Sequence, residues 1–315
     1  MRVFVAGATG AVGKPLVRQL HAAGHSTVAT TRSQEKASLL RNLGADPVVV
    51  DVFDRGALID AVRAARPEAV IHQLTDLPSS MDPRQLQEIY SRNNRVREEG
   101  TANLLDAAEA AGVRIFVAQS MCTWYEPSGD AVKSEQAPLW TNAPEPIGDG
   151  VRTLARMESD IFARAPTGII LRYGAFYGPG TWYAADGEIA ARMRNRGFPI
   201  IGRGEGITSF VHVEDAASAA VAALSSSSAG VFNVADDEPA PAAEWIPAYA
   251  AVLNAPKPWK VPVFAARLAL GAAMTEWLTT MRGASNVAIK SLLGWRPGYP
   301  SWRIGFQGLA AGQKM

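Results

Sequence analysis

Gly7-Ala8-Thr9-Gly10-Ala11-Val12-Gly13 follows directly on the apolar run Val3-Phe4-Val5-Ala6, and the reading of this stretch decides the fold. A short buried strand, a glycine-spaced turn and a helix over Lys14–Ala23 together form a cradle for phosphate. Gly7 permits the tight turn, Gly10 lets backbone amides approach a pyrophosphate, and Gly13 lets the helix pack close to the strand. The unpaired N–H groups of the helix N-terminus then face the phosphate charge. Gly7, Thr9, Gly10, Ala11, Val12 and Gly13 are therefore the expected dinucleotide contacts; the alternative is a structural glycine turn with no ligand.

Strands and helices alternate outward from that turn. Strands are expected at Arg2–Ala6, Thr27–Thr31, Pro47–Asp51, Ala69–Gln73 and Arg114–Gln119, with helical spacing over Lys14–Ala23, Gln34–Leu43, Arg55–Ala65 and Arg84–Ala111. Continuous apolar strands separated by helices specify an α/β doubly wound parallel sheet, the Rossmann fold. Gly24, Gly44 and Gly112 stand where left-handed caps belong, and Asp54 and Asp82 (just before Pro83) where helix N-caps belong. Residues 121–150, rich in Pro, Gly, Trp and acidic groups, read as one long functional loop.

Beyond the loop, a helix over Val151–Ala163 and a strand over Gly168–Tyr173 are expected. They are followed by helices at Ala184–Arg196, Asp215–Leu224, Ala242–Leu253 and Ala265–Thr280, strands at Ser209–Val213 and Gly230–Val234, and a serine loop at Ser225–Ser228. Residues 1–175 then form the dinucleotide-binding domain and 176–315 mostly a smaller C-terminal substrate lobe, with 209–235 returning to the first domain.

Composition narrows the class. The 315 residues are 48% hydrophobic and 19% charged, which is globular. A net charge of +1 offers no field for nucleic acid or an anionic membrane, and no apolar run reaches spanning length. The single Cys122 rules out an internal disulfide framework, and no Cys/His spacing suggests a metal. With no cleavable signal pattern, a cytoplasmic protein acting on a small molecule is expected, with neither nucleic acid nor membrane as partner.

The second strand ends in Thr30-Thr31-Arg32-Ser33 and has no acidic residue to accept a ribose 2′-hydroxyl. Arg32 offers a fork of donors and Thr31 a hydroxyl, which suits a 2′-phosphate and favours NADP(H) over NAD. Arg32 could otherwise be a solvated helix-start residue. Asp51 and Val52 stand where an adenine would lie, although Asp51 also reads as a turn acid. Leu74 and Tyr173 complete the expected coenzyme contacts.

Together these features resemble the short-chain dehydrogenase/reductase superfamily, in its extended, epimerase/dehydratase-like branch. Besides the glycine turn, the resemblance rests on Gly100-Thr101-Ala102-Asn103-Leu104-Leu105, on Leu171 through Gly180, on Phe210-Val211-His212-Val213-Glu214-Asp215-Ala216-Ala217 and on Phe232-Asn233-Val234. It implies a nicotinamide-dependent enzyme and, by similarity alone, a homodimer through helices 84–111 and 151–163. It also implies a Tyr-x-x-x-Lys pair, which this chain lacks. Anchored on Glu158, the tyrosine position holds Gly150 and the lysine position Leu154, while Met121 stands at the catalytic Ser/Thr; a one-residue slip would put Ser120 there, and Thr123 is also near.

Replacement hydroxyls are sought in the loop after the fifth strand, where Ser120, Thr123 and Tyr125 are the catalytic candidates. Ser120 and Thr123 could instead cap the strand end. Trp124, Tyr177, Trp182 and Tyr183 are expected to wall an apolar or aromatic substrate, though Tyr177 and Tyr183 read more simply as packing aromatics. His212 is either a substrate-side acid/base or, more simply, a structural histidine. Arg92, Arg95 and Arg97, close to Glu88, Glu98 and Glu99, read as a surface ion-pair face. The expected function is an NADP(H)-dependent oxidoreductase for an apolar or aromatic carbonyl or alcohol. Its rivals are a non-redox isomerase, dehydratase or cyclase, and a nucleotide-sensing binding protein.

Overall fold

The computed structural model describes residues 1–78, 80, 85–226 and 229–310, so the expected cap at Asp82 and Pro83, the helix start at Arg84, and Ser227 and Ser228 lie outside the described residues. Seven strands form one parallel sheet: β1 (Arg2–Ala6), β2 (Ser26–Thr31), β3 (Ala45–Val49), β4 (Ala69–His72), β5 (Ile115–Met121), β6 (Thr167–Tyr173) and β7 (Gly230–Val234). Their spatial order is β3-β2-β1-β4-β5-β6-β7. The order reverses between β1 and β4, where Ala6 pairs with His72, and the crevice at the carboxyl ends of these strands is where such a sheet takes a ligand.

Both faces of the sheet are covered. The helices are α1 (Gly13–Ala22), α2 (Gln34–Asn42), α3 (Arg55–Ala65), α4 (Leu86–Arg95), α5 (Thr101–Ala110), α6 (Ile147–Arg164), α7 (Glu188–Arg194), α8 (Val213–Ala223), α9 (Ala242–Val252), α10 (Val263–Leu270), α11 (Ala272–Thr280), α12 (Val287–Leu292) and α13 (Trp302–Ala310). Val3 and Val5 pack with Leu16 and Leu20 of α1 and Ala216 and Ala220 of α8 on one face. Phe4 and Val70 pack with Leu58, Leu104, Phe116 and Leu154 on the other. Neighbouring residues of one strand thus serve opposite cores, which is why the strands are apolar throughout rather than alternating. A separate aromatic core of Tyr177, Phe210, Trp245, Tyr249, Trp302 and Phe306 holds the C-terminal lobe together.

Several boundaries differ from the sequence expectation. β3 starts at Ala45 and ends at Val49, leaving Asp51 in the turn that follows. α6 begins at Ile147, so Gly148 and Gly150 lie inside it, and packing requires a glycine at 148: a Cβ there would lie 2.2 Å from the Ala143 carbonyl oxygen. The single helix expected over 265–280 is two, α10 and α11, broken at Gly271 with φ +81°. α12 and α13 are additional. The helix expected over 84–111 is interrupted: a π turn at Val96–Gly100 joins α4 to α5. One extra residue in a turn rotates what precedes it by about 100° relative to an α-helical count. No helix among the described residues is long and apolar enough to cross a membrane.

Candidate active site

Packing within the protein itself fixes two of the three turn glycines. Gly7 has φ +92°, and a Cβ there would lie 2.5 Å from the Gln73 carbonyl carbon. A Cβ on Gly13 would lie 2.2 Å from the Gly7 oxygen, so this glycine is what lets α1 close onto the turn. Gly10 is different, since its Cβ would meet only the Gly7 oxygen, at 3.4 Å. Its N–H donates to the Gly7 carbonyl and its own carbonyl accepts from the Lys14 amide, both at 3.2 Å, so what the missing side chain leaves open is space beside the turn for a ligand. Val12 stands at the N-cap of α1 and offers no side-chain acceptor to the first-turn amides. The arrangement of Gly7, Thr9, Gly10, Ala11, Val12 and Gly13 fits a pyrophosphate.

Further along the crevice, Thr31 Oγ1 accepts from the Ser33 amide at 3.1 Å, shaping the turn from which Arg32 emerges. Arg32 is exposed and makes no ion pair among the described residues, so its guanidinium is free to take a phosphate. Asp51 Oδ1 accepts from the Phe53 amide at 3.0 Å and is thereby committed to its turn. Asn103 Nδ2 donates to the Val52 carbonyl at 2.9 Å, while a Cβ on Gly100 would crowd Val52 at 3.4 Å. The Gly-Thr-x-Asn helix motif therefore positions the loop after β3. Its threonine acts on β4: His72 Nδ1 accepts from the Leu74 amide at 3.2 Å, so His72 Nε2–H donates to Thr101 Oγ1 at 3.0 Å. Burial, with the Arg97 charge adding to it, pushes His72 down to about 4, and it is neutral. Tyr173 is buried, accepts from Gln73 Nε2 and donates to the Ala216 carbonyl, both at 3.2 Å.

The expected catalytic hydroxyls belong to a buried polar chain. Ser120 Oγ donates to Glu158 Oε1 at 2.5 Å. Arg172 grips the same carboxylate through Nε and Nη2, at 2.9 and 2.6 Å, and donates to Tyr125 Oη through Nη1 at 3.0 Å. Tyr125 Oη in turn donates to Asn233 Oδ1 at 2.7 Å. Burial raises the Tyr125 phenol well above its ordinary value, against the opposing effect of Arg172. Ser120 and Tyr125 are thus hydrogen-bonded into the protein interior; of the three candidates, only Thr123 has a buried hydroxyl with no partner.

Three residues expected on the substrate wall lie elsewhere. Tyr177 is fully buried in the aromatic core of the lobe. Tyr183 meets Phe210, Trp245 and Tyr249 edge-on, at centroid distances of 5.4, 5.8 and 5.9 Å. His212 caps α8, its Nδ1 accepting from the Glu214 amide at 3.2 Å, and its ring stacks on Tyr299 at 4.0 Å. Burial takes His212 down to about 4, so it is a neutral structural group. Trp182 does reach the crevice side: its Nε1 donates at 3.1 Å to the carbonyl of Pro78, in the segment after β4.

A family model described as the NAD dependent epimerase/dehydratase family matches residues 3–235. The chain belongs to that family. Among relatives of this epimerase/dehydratase protein is a 3-diazoavenalumate denitrifying reductase of Streptomyces sp, 48% identical over 97% of this chain and 99% of that one. Ceramide reductase of Caulobacter vibrioides is 26% identical over 74% of this chain and 64% of its own. The fold matches a human epimerase family protein solved with NADPH, with TM-score 0.76, 20% identity and coverage of 99% and 100%. It also matches UDP-glucose 4-epimerase of Thermus thermophilus solved with NAD, with TM-score 0.75, 24% identity and coverage of 99% and 98%. This epimerase/dehydratase family member is a nicotinamide-dependent enzyme related to a reductase.

The family's proton relay is replaced here by packing. Gly150 lies in the first turn and a half of α6, and a Cβ there would stand 3.0 Å from both Trp124 and Tyr90. Those two rings stack at 6.1 Å and fill the space where a side chain at 150 would begin. Leu154, at the lysine position, is fully buried in the core. Met121 closes β5 beside Tyr173.

One functional candidate lies where the sequence reading put a surface ion pair. Arg92 and Arg95 do pair at the surface, with Glu88 and Asp76 and with Glu99. Arg97 instead points inward and is 8% exposed. Its Nη2 donates to Met121 Sδ at 3.3 Å, its guanidinium lies 4.9 Å from the Trp124 ring centroid, and its Nη1 has no partner. The helical register gives the physical reason: at about 100° per residue Arg97 lies roughly 140° from Arg92 and roughly 160° from Arg95, on the face turned to the protein interior.

Proposed function

We propose that this protein is an NADP(H)-dependent reductase that delivers hydride to a diazonium-bearing, apolar or aromatic small molecule and releases dinitrogen. The observation that carries this reading is the composition of the three relay positions, Gly150, Leu154 and Met121, none of which can hold or move a proton. Reduction of a carbonyl develops an oxyanion, and loss of a positioned acid costs about 10²–10⁴ in rate. The bound coenzyme supplies two electrons and one hydrogen as hydride, so that R–N₂⁺ becomes R–H plus N₂ with no oxyanion left to protonate. The related denitrifying reductase, aligned over nearly the whole chain, supports the same reaction class.

The residues that would hold the coenzyme are the Gly7–Gly13 turn at the pyrophosphate, Arg32 with Thr31 at a 2′-phosphate, and Val52 with Leu74 beside the adenine. Trp124, Met121 and Trp182 would wall the substrate and keep water from the hydride acceptor. Ser120, Tyr125 and Glu158 would fix the loop that carries Trp124. The test is to mix purified protein and NADPH with an aromatic diazonium compound, following nicotinamide absorbance and evolved N₂ together. Stoichiometric oxidation and gas release support the reading. NADPH oxidation with aldehydes and ketones but not with the diazonium compound overturns it. Turnover without net oxidation would point instead to a non-redox enzyme.

A further inference from the structure

Arg97 is a buried cation for which the protein provides no counter-charge among the described residues. Its Nη2 donates to the neutral sulfur of Met121, its guanidinium lies near the face of Trp124, the Tyr90 phenol and the neutral His72 are close by, and Nη1 has no partner. The neighbouring carboxylates are engaged outside: Glu98 accepts from Arg156 and Thr153, at 2.6 and 3.1 Å, and Glu99 accepts from Arg95 at 2.7 Å. A charge removed from water is costly unless it is paired, and burial has brought Arg97 down only to about 10, so it stays protonated at neutral pH. Such a group persists in a fold where its pairing partner arrives from outside.

Location identifies that partner. Met121 occupies the carboxyl end of β5, and Trp124 stands against Gly150. Arg97 therefore touches one position at which the family would hold a reacting oxygen, Met121, and reaches the other, Gly150, through Trp124, at the opposite end of the crevice from Arg32 and the phosphate turn. We propose that Arg97 is the anchor for a carboxylate of the substrate, which enters beside Met121 and Trp124 and pairs with the free Nη1–H. The planar guanidinium suits a carboxylate through two parallel hydrogen bonds, and the Trp124 face keeps it flat. Arg97 lies on the face opposite Arg92 and Arg95, and the π turn at Val96–Gly100 in which it sits is a feature frequent at functional sites. This inference rests on the reading of the crevice as a reductase site, and it adds the chemical class of the substrate's second group.

The test measures binding, not turnover. The NADPH-saturated protein is titrated by calorimetry with 4-hydroxycinnamate and with its methyl ester. The wild type should prefer the acid by about ten- to a hundredfold, the range of a charge-assisted hydrogen bond. Arg97→Met should abolish that preference, leave binding of the ester and of NADPH unchanged, and melt no lower than the wild type, since it removes an uncompensated buried charge. Arg97→Lys should restore part of the preference. Equal wild-type affinity for acid and ester overturns the proposal, as does an Arg97→Met variant that weakens both ligands alike or melts well below the wild type. The wild-type comparison decides alone if neither variant folds. If the acid preference depends on Arg97 but no diazonium compound is reduced, the carboxylate anchor stands and the reaction assignment falls.

Discussion

Glu158 and Arg172, with side chains 7% and 8% exposed, form a two-point ion pair beneath the loop that carries Trp124. Because Ser120 and Tyr125 complete their hydrogen bonding, neither charge is left unsatisfied. Removing one partner would strand the other in the interior. Glu158→Ala is therefore expected to destabilise the protein by about 3–5 kcal/mol in chemical denaturation. A loss below about 1 kcal/mol would mean that water reaches the pair. At the far end of the crevice, Arg32 is free and exposed. Arg32→Ser should weaken NADPH by about ten- to a hundredfold and leave NADH nearly unchanged, as direct titration would register. Equal weakening of both coenzymes would assign Arg32 to some role other than the 2′-phosphate.

At the level of elements, the strand–turn–helix at the N-terminus separates what folding needs from what binding needs. Gly13→Ala puts a Cβ 2.2 Å from the Gly7 oxygen and forces α1 off the turn, whereas Gly10→Ala meets only a 3.4 Å contact. In thermal melts Gly13→Ala should cost about 1–3 kcal/mol and Gly10→Ala less than about 1 kcal/mol. In coenzyme titration Gly10→Ala should nonetheless lose at least about tenfold in affinity, because the added methyl would occupy the open space beside the turn that a pyrophosphate needs. A Gly10→Ala variant with full affinity would remove the phosphate assignment. This turn was legible in the sequence because strand, glycine spacing and helix are contiguous and each residue's role is local. The alternation through β5 was legible for the same reason. The π turn was not, since nothing local in the sequence marks it. The inward face of Arg97 could have been read, because at about 100° per residue it lies roughly 140° from Arg92 and roughly 160° from Arg95, but the nearby Glu98 and Glu99 suggested a surface pairing instead. Tyr177, Tyr183 and His212 were ambiguous because their surroundings come from Trp245, Tyr249, Tyr299 and Phe306, far along the chain. The start of α6 was not legible because Gly148 and Gly150 look like helix breakers, whereas they are glycines because Ala143, Trp124 and Tyr90 leave no room for side chains there.

For the whole molecule, the buried titratable groups set a stability optimum near neutrality. Burial lowers His72 and His212 from 6.5 to about 4 in the folded state. Between those values the unfolded chain binds more protons at both sites, so their contribution is complete above pH 6.5 and lost as pH falls toward 4. Asp236 works in the opposite sense: burial raises it from 3.8 to about 8, ahead of the lowering effect of the backbone amides of Glu238 and Trp302. The folded state holds that proton more tightly, so the contribution of Asp236 is complete below pH 3.8 and lost as pH rises toward 8. From pH 4 to 6.5 two histidines outweigh one aspartate and stability should climb; from 6.5 to 8 Asp236 acts alone and stability should decline. Urea unfolding across pH 4.5–8.5 is expected to give a maximum at about pH 6–7. Asp236→Asn should flatten the alkaline limb and leave the acid limb in place. An alkaline limb that persists in Asp236→Asn would show that another group carries the proton, with Asp215, also raised by burial, the next to be tested.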